Sequence, residues 1–283
     1  MNWQRWKEWP WGLWRRQVWA ILRLELRKSF FSRRAWWIYL LVLAPIVLCA
    51  GHSLAASLRS RSYHSLSDDI RIYANIYQFF LLRFAVFFGC VGIFTNLFRG
   101  EVLERTLHYY WLAPVRREVV AAGKYLSGVI AAGVLFALSA GLSYLLVPYH
   151  FGPGFEDYLL QGEGMQQLAA YVSVTVLACA GYGAVFLLMG LLYQNPMIPA
   201  AVVMVWEFFN QFLPEMLKKF SIIFYLKSLC PVPVNVKGPL AVLVVDAEPT
   251  PAWLAVPGLL VVSLLLLALA ARQARNLQVT YSE

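Results

Sequence analysis

The residues best placed to do chemistry lie in one short, charge-rich stretch, residues 99–124, between two long hydrophobic runs. There Glu101, Glu104, Arg105, Thr106, Pro114, Val115, Arg116, Arg117 and Lys124 follow one another within a few turns of chain. Carboxylate, guanidinium and ammonium groups at this density form ion pairs and charge-assisted hydrogen bonds. That is the chemistry of docking a partner, not of breaking a covalent bond. Pro114 interrupts a helix and turns the chain. The charged tip therefore projects from the membrane surface with both ends continuous with apolar helices, an arrangement able to transmit a push.

Two further ionisable residues, Arg83 and Glu207, stand alone inside apolar runs. Each costs roughly 2.5 to 3.5 kcal/mol at the centre of a membrane helix and so needs a partner or water. At ~1.5 Å per residue they sit about 15 Å and 9 Å below the outer ends of their helices. Long side chains bridge such an offset, and the expectation is either an ion pair locking two helices or a pair lining a pathway. Catalytic chemistry finds no support. The chain contains no His-Glu-x-x-His, no Gly-x-Ser-x-Gly and no paired aspartates in its apolar runs, and His52, His64, His108 and His150 lack ligand spacing. Cys49, Cys90 and Cys179 fall in apolar runs, and Cys230 alone cannot build a disulfide framework. No catalytic residue, metal or cofactor is expected in this chain.

The elements that must position these residues are membrane helices. The chain is 60% hydrophobic and 14% charged, against about 25% charged for a soluble domain. Six stretches carry the ~20 apolar residues needed to span ~30 Å of hydrocarbon: approximately 36–58, 72–98, 121–147, 168–192, 197–213 and 252–271. The expected fold is all-α and polytopic, with one six-helix domain over 36–271. The net charge of +9 follows topology rather than nucleic acid. Sixteen Lys and Arg fall in the segments before the first span, in 99–124 and in the tail 272–283, against seven in the other loops. The positive-inside rule then puts both termini in the cytosol.

Residues 16–34, within a cytosolic N-terminal segment 1–35, have the pattern of an interfacial amphipathic helix. Arg16, Arg23, Arg27 and Arg34 share one side, and Val18, Trp19, Leu22 and Leu26 the other. Trp3, Trp6, Trp9, Trp11, Trp14 and Trp19 suit the headgroup zone. Glu25 projects into the apolar face, so it must snorkel or find a partner on the next element. Residues 214–251 form an outer loop whose first part, Glu215 to Leu229, mixes lysines with apolar residues before Cys-Pro-Val-Pro, as a re-entrant element before the last helix would.

With Glu101, Glu104, Arg105, Thr106-Leu107, Ala113-Pro114-Val115-Arg116-Arg117 and Gly123-Lys124 in order, the chain resembles the membrane permeases of type 2 ABC exporters. The resemblance extends over the amphipathic helix, the six spans, the cytosolic connection between the second and third, and the element before the last. His108-Tyr109-Tyr110-Trp111 is more aromatic than the family pattern. The resemblance implies a permease subunit of the cell inner (plasma) membrane that forms the substrate pathway with a second permease copy or homologue. Two separate ABC ATPase subunits would dock on 99–124 and carry the ATP and Mg. Gly123-Lys124 is followed by Tyr125 and preceded by Glu118 where a phosphate loop needs Gly, so the ATPase belongs on another chain. Membrane lipids are expected partners and nucleic acid is not. The alternative is a channel or ion-coupled transporter that works without an ATPase.

Overall fold

The computed structural model describes residues 11–31, 35–58, 65–234 and 250–276. Among these the only regular structure is helical, as hydrocarbon demands, because a helix satisfies its own backbone N–H and C=O groups where no water can. Helix α1 covers Trp11–Phe31 and α2 Trp36–Leu58. Helix α3 (Leu66–Asn75), a π-helical stretch (Ile76–Val86) and α4 (Phe87–Leu103) run on as one 38-residue rod. A short α5 (Leu107–Leu112) precedes α6 (Arg117–Leu146), which ends in a 3-10 turn (Val147–Phe151); α7 (Pro153–Gln161) and α8 (Gly164–Leu192) follow. Then come α9 (Met197–Phe209), α10 (Glu215–Lys218), α11 (Ile222–Ser228) and α12 (Ala252–Asn276).

Five helical segments among the described residues are long and apolar enough to cross a membrane: α2, the α3-to-α4 rod, α6 with its 3-10 turn, α8 and α12. The stretch expected to span at 197–213 differs. Its helix, α9, has 13 residues, about 20 Å at ~1.5 Å per residue and short of ~30 Å of hydrocarbon. It tightens into a 3-10 turn at Asn210–Phe212 before Pro214. Residues 235–249, which complete the outer loop, lie outside the described residues, as do 1–10, with Trp3, Trp6 and Trp9, and the tail beyond 276.

The core forms where α4, α6 and α8 meet, and small residues let them approach. Phe94 of α4 lies against Gly128 of α6 and Gly183 of α8, and Phe136 of α6 against Gly89 of α4. At Gly190 the backbones nearly touch, since a Cβ there would meet the Thr95 carbonyl oxygen at 3.0 Å and its Cα at 3.1 Å. Backbone cannot swing aside as a side chain can. Gly190→Leu is expected to cost about 1–3 kcal/mol through overpacking, read as a lower melting temperature of the purified protein.

Toward the opposite end, Tyr73 packs edge to face on Tyr144 and Tyr171 in the interior, and Tyr77 lies tilted against Tyr171. Two of the hydroxyls are spent across helices: Tyr73 donates to the Ala140 carbonyl at 2.8 Å, and Tyr77 to the Tyr171 carbonyl at 2.9 Å. Buried phenols tied in this way fix the register of α3 against α6 and of the π-helical stretch against α8.

Candidate functional site

The charged residues of α1 and 99–124 converge on one buried cluster. Glu25, on the apolar face of α1, is 3% exposed and Lys124, in the second turn of α6, is 0% exposed. Lys124 Nζ stands 2.7 Å from Glu25 Oε1 and 2.9 Å from Glu101 Oε1, at the end of α4. Lys28, one turn beyond Glu25, closes the loop at 2.9 Å from Glu101 Oε1 and 3.8 Å from Glu25 Oε1. The Tyr110 hydroxyl on α5 donates to Glu25 Oε1 at 2.7 Å, and its ring faces the Lys124 ammonium at 4.6 Å. Four helices are thereby held by two carboxylates, two ammonium groups and a phenol, and the contacts at 2.7–2.9 Å have the charge-assisted geometry that makes such bonds strong.

The sequence explains how the cluster assembles. Glu25 interrupts the apolar side of an otherwise amphipathic helix, so docking that side buries the carboxylate. Gly123, beside Lys124, removes the Cβ that would meet Ile21 of α1 at 3.0 Å, and α1 can lie close along α6. The Gly-Lys pair thus works inward, as a seat and an anchor for α1. Burial alone raises the Glu25 carboxyl, but the Lys124 ammonium and the hydrogen bonds from Lys124 and Tyr110 outweigh it and hold the group below the usual carboxylate range. Lys28 loses hydration, yet Glu25 and Glu101 keep its ammonium above the ordinary value. Burial and the Glu25 charge push the Tyr110 hydroxyl far up, so it stays a donor.

Two residues expected at the docking face therefore face inward: Glu101 and Lys124 are buried and bear on the fold. The outward face of the turn carries Glu104, Arg105, Tyr109, Leu112, Pro114 and Arg116, all exposed, while Thr106, Val115 and Arg117 are half-buried. Arg105 adopts a left-handed backbone with φ 55°, which costs a non-glycine residue roughly 1–2 kcal/mol. That turn brings the Thr106 N–H to the Glu101 carbonyl at 2.9 Å and sends α5 back beneath α1. Past Pro114 the chain is braced on both sides. Gln17 of α1 donates to the Pro114 carbonyl at 3.3 Å, and the Arg116 guanidinium lies 4.9 Å from the Trp14 ring. Arg117 donates to the Arg275 carbonyl at the end of α12 at 2.8 Å, and Glu118 pairs with the Arg275 side chain. Arg16, Arg23 and Arg27 are exposed on α1 as the helical pattern requires; Arg34 lies outside the described residues.

Arg83 and Glu207 are both 5% exposed, but they do not form the ion pair that their depths suggested. Glu207 is taken up elsewhere. Its carboxylate accepts from the Ile222 N–H at 3.0 Å, the Ile223 N–H at 2.9 Å, the Ser221 hydroxyl at 2.8 Å and the Tyr182 hydroxyl at 3.0 Å. It caps the N-terminus of α11, where orphan backbone donors and the helix dipole favour an anion. The Arg83 guanidinium instead lies over the rings of Phe79 at 5.4 Å and Phe208 at 5.8 Å, with Nε and Nη2 making no hydrogen bond. The signal for this was present in the sequence: Ser221 followed by an apolar run reads as a helix start, but nothing linear said that Glu207 would cap it.

A second cluster also lay beyond linear reading. Asp69, fully buried, has His52 Nε2 3.5 Å from Oδ1 and His150 Nδ1 3.6 Å from Oδ2, bringing together the ends of α2, α3 and α6. No group of three or more ligating residues suited to a metal ion occurs among the described residues. No protein-family model matches the chain, and a comparison with curated proteins returns no match.

Proposed function

We propose that this chain is the membrane permease subunit of an ATP-binding-cassette exporter, driven by separate ATPase subunits that dock on the 99–124 turn. The observation that carries this reading is the buried cluster joining Glu25, Glu101, Tyr110 and Lys124. It ties the turn, the interfacial helix and two long apolar helices into one unit, so a force on the turn moves the helices instead of bending the loop. The outward face mixes apolar Leu103, Tyr109 and Leu112 with Arg105 and Arg116, a composition suited to a protein partner. The resemblance to type 2 ABC permeases supplies the identity of that partner, and rigid-body movement of paired subunits the mechanism.

Contacts at the helix ends support six crossings. Gln17 of α1 and Arg275 of α12 both reach the 114–118 segment, which supports a reading with α1 and the end of α12 on one side of the membrane. Five long helices alone would leave them on opposite sides, so this reading keeps a sixth crossing at 197–213, where α9 lies, and a re-entrant element over Glu215 to Leu229 before α12. The clustering of basic residues on that side supports reading it as the cytosol.

The test is co-purification with an ABC ATPase encoded beside this chain's gene. Combining Arg105→Glu, Tyr109→Glu and Leu112→Glu, all at exposed positions, is expected to abolish co-purification while leaving membrane insertion unchanged; intact assembly would sink the docking role. An ion-coupled transporter is the second reading, favoured by the buried Asp69 between His52 and His150. Uptake or efflux driven by a proton gradient in vesicles lacking ATP would favour it.

A further inference from the structure

A cleft of about 1010 Å³ opens between α1 and α4. Its accessible wall belongs to α1, where Trp19, Arg23 and Arg27 follow one another at four-residue spacing and so share one face of the helix. Trp19 is 66% exposed and Leu24, beside the arginines, 49%; both arginines are exposed as well. The charges of the lining do not cancel. Glu25 and Glu101 are taken up by Lys28 and Lys124, and Glu104 adds to the negative charge that holds the Lys28 ammonium above its ordinary value. Arg23 and Arg27 have no ion pair or hydrogen bond with any of the described residues. Like charges four residues apart on a helix repel, so this wall is under strain until an anion sits on it. The facing wall on α4 is apolar at Ile93 and Leu97 and carries one exposed polar residue, Asn96. Its amide donates to the Gly92 carbonyl of its own helix at 2.6 Å, which leaves a second N–H for an occupant. Asn96 stands about 10 Å from Leu103, where α4 ends, at ~1.5 Å per residue.

We propose that this cleft binds one phospholipid with a net negative headgroup. The phosphate sits between the guanidinium forks of Arg23 and Arg27, whose planar donors match phosphate oxygens. The second Asn96 N–H serves an ester carbonyl, and the acyl chains leave over Trp19 and Leu24, covering apolar surface that is otherwise open. With the gap filled, α1 is joined to α4 as well as to α6. The sign of the headgroup decides the selection. Ethanolamine and choline lipids carry the same phosphate, but their cation approaches Arg23, Arg27 and Lys28 and cancels the charge that the arginines attract. A free phosphate has the charge but no chains to cover Trp19 and Leu24. The inference depends on the interfacial placement of α1 and stands apart from the transport role.

The experiment uses the full chain in detergent, exchanged against equimolar phosphatidylglycerol, phosphatidylethanolamine and phosphatidylcholine, with retained lipid identified by mass spectrometry. Phosphatidylglycerol is expected to be retained about tenfold over either of the others, the order that two arginines at a membrane surface support, and to raise the melting temperature. Arg23→Gln combined with Arg27→Gln should abolish both the preference and the rise. A control removes the same charge from the same helix outside the cleft: Arg15→Gln combined with Arg16→Gln, also at exposed positions, should leave both unchanged. Equal retention of the three lipids by the unmodified chain overturns the proposal without any variant. A preference that survives in the Arg23 and Arg27 variant overturns it too. So does an equal loss in the two double variants, which would assign the preference to the charge of the helix surface and not to the cleft. Displacement of the retained lipid by excess inorganic phosphate would give the site to a free phosphate and overturn it likewise.

Discussion

Replacing Lys124 with Met is expected to cost about 3–5 kcal/mol, the usual penalty for breaking a buried ion pair by removing one partner. The residue is fully buried and is shared by Glu25 and Glu101, so its loss leaves two carboxylates facing each other with only Lys28 between them. Helix α1 should detach from α6. The measurement is the fraction of monodisperse protein after extraction together with the melting temperature. Adding Glu25→Gln should restore part of the loss, since the second substitution removes one of the stranded charges, and contacting groups behave non-additively. A double variant as damaged as the sum of the singles would refute the shared cluster.

The same cluster defines a pH window. Glu25 has a folded-state pKa below its unfolded value near 4.5, so its contribution is present above that value and is lost as pH falls through the lower, folded value. Lys28 has a folded-state pKa above its unfolded value near 10.5, so its contribution is complete below that value and is lost as pH rises past it. The Glu25 contribution should therefore show as a fall in melting temperature on the acid side and the Lys28 contribution as a fall on the alkaline side, and the acid-side fall should shrink in Glu25→Gln.

Glu207→Ala is expected to cost about 3 kcal/mol, because four donors buried around one carboxylate lose their acceptor at once. Two of these are the Ile222 and Ile223 amides, so the effect has a location. Hydrogen exchange should accelerate in the peptide spanning 221–228 and stay unchanged in the tyrosine cluster. Glu207→Gln, which keeps one acceptor oxygen, should lie between. Arg83→Met gives the contrast: Nε and Nη2 have no hydrogen-bond partner, so replacing the guanidinium with an apolar side chain should leave thermal stability unchanged or raised. Stability falling as far in Arg83→Met as in Glu207→Ala would restore the direct ion pair between them.

Much of the architecture was legible in the chain because hydrophobic length is a local property. The span beginning at Trp36 was readable to the residue, and Pro114 marked its turn before Arg117 opens the next helix. Residue 209, where α9 ends, was not, because Phe212 and Leu213 resume the apolar pattern after Asn210 and Gln211 while the backbone tightens. The π-helical stretch at Ile76–Val86 has no linear signature either, since its wide turns depend on what Tyr77, Gln78 and Arg83 meet across the bundle.

For the site the division is sharper. By itself the sequence determined which residues had to be explained: Glu25 on an apolar face, a charged turn between membrane helices, Arg83 and Glu207 without neighbours of their own polarity. Composition and period suffice for that, because a charge in an apolar run is costly wherever the run folds. The pairing was decided only by the tertiary structure. Glu25 and Lys124 are separated by 99 positions and meet because Gly123 lets α1 settle on α6, while Glu207 turns to the amides of α11 instead of Arg83. Ion pairing is governed by distances of a few ångströms between atoms on different helices. Those distances come into being only when the helices pack.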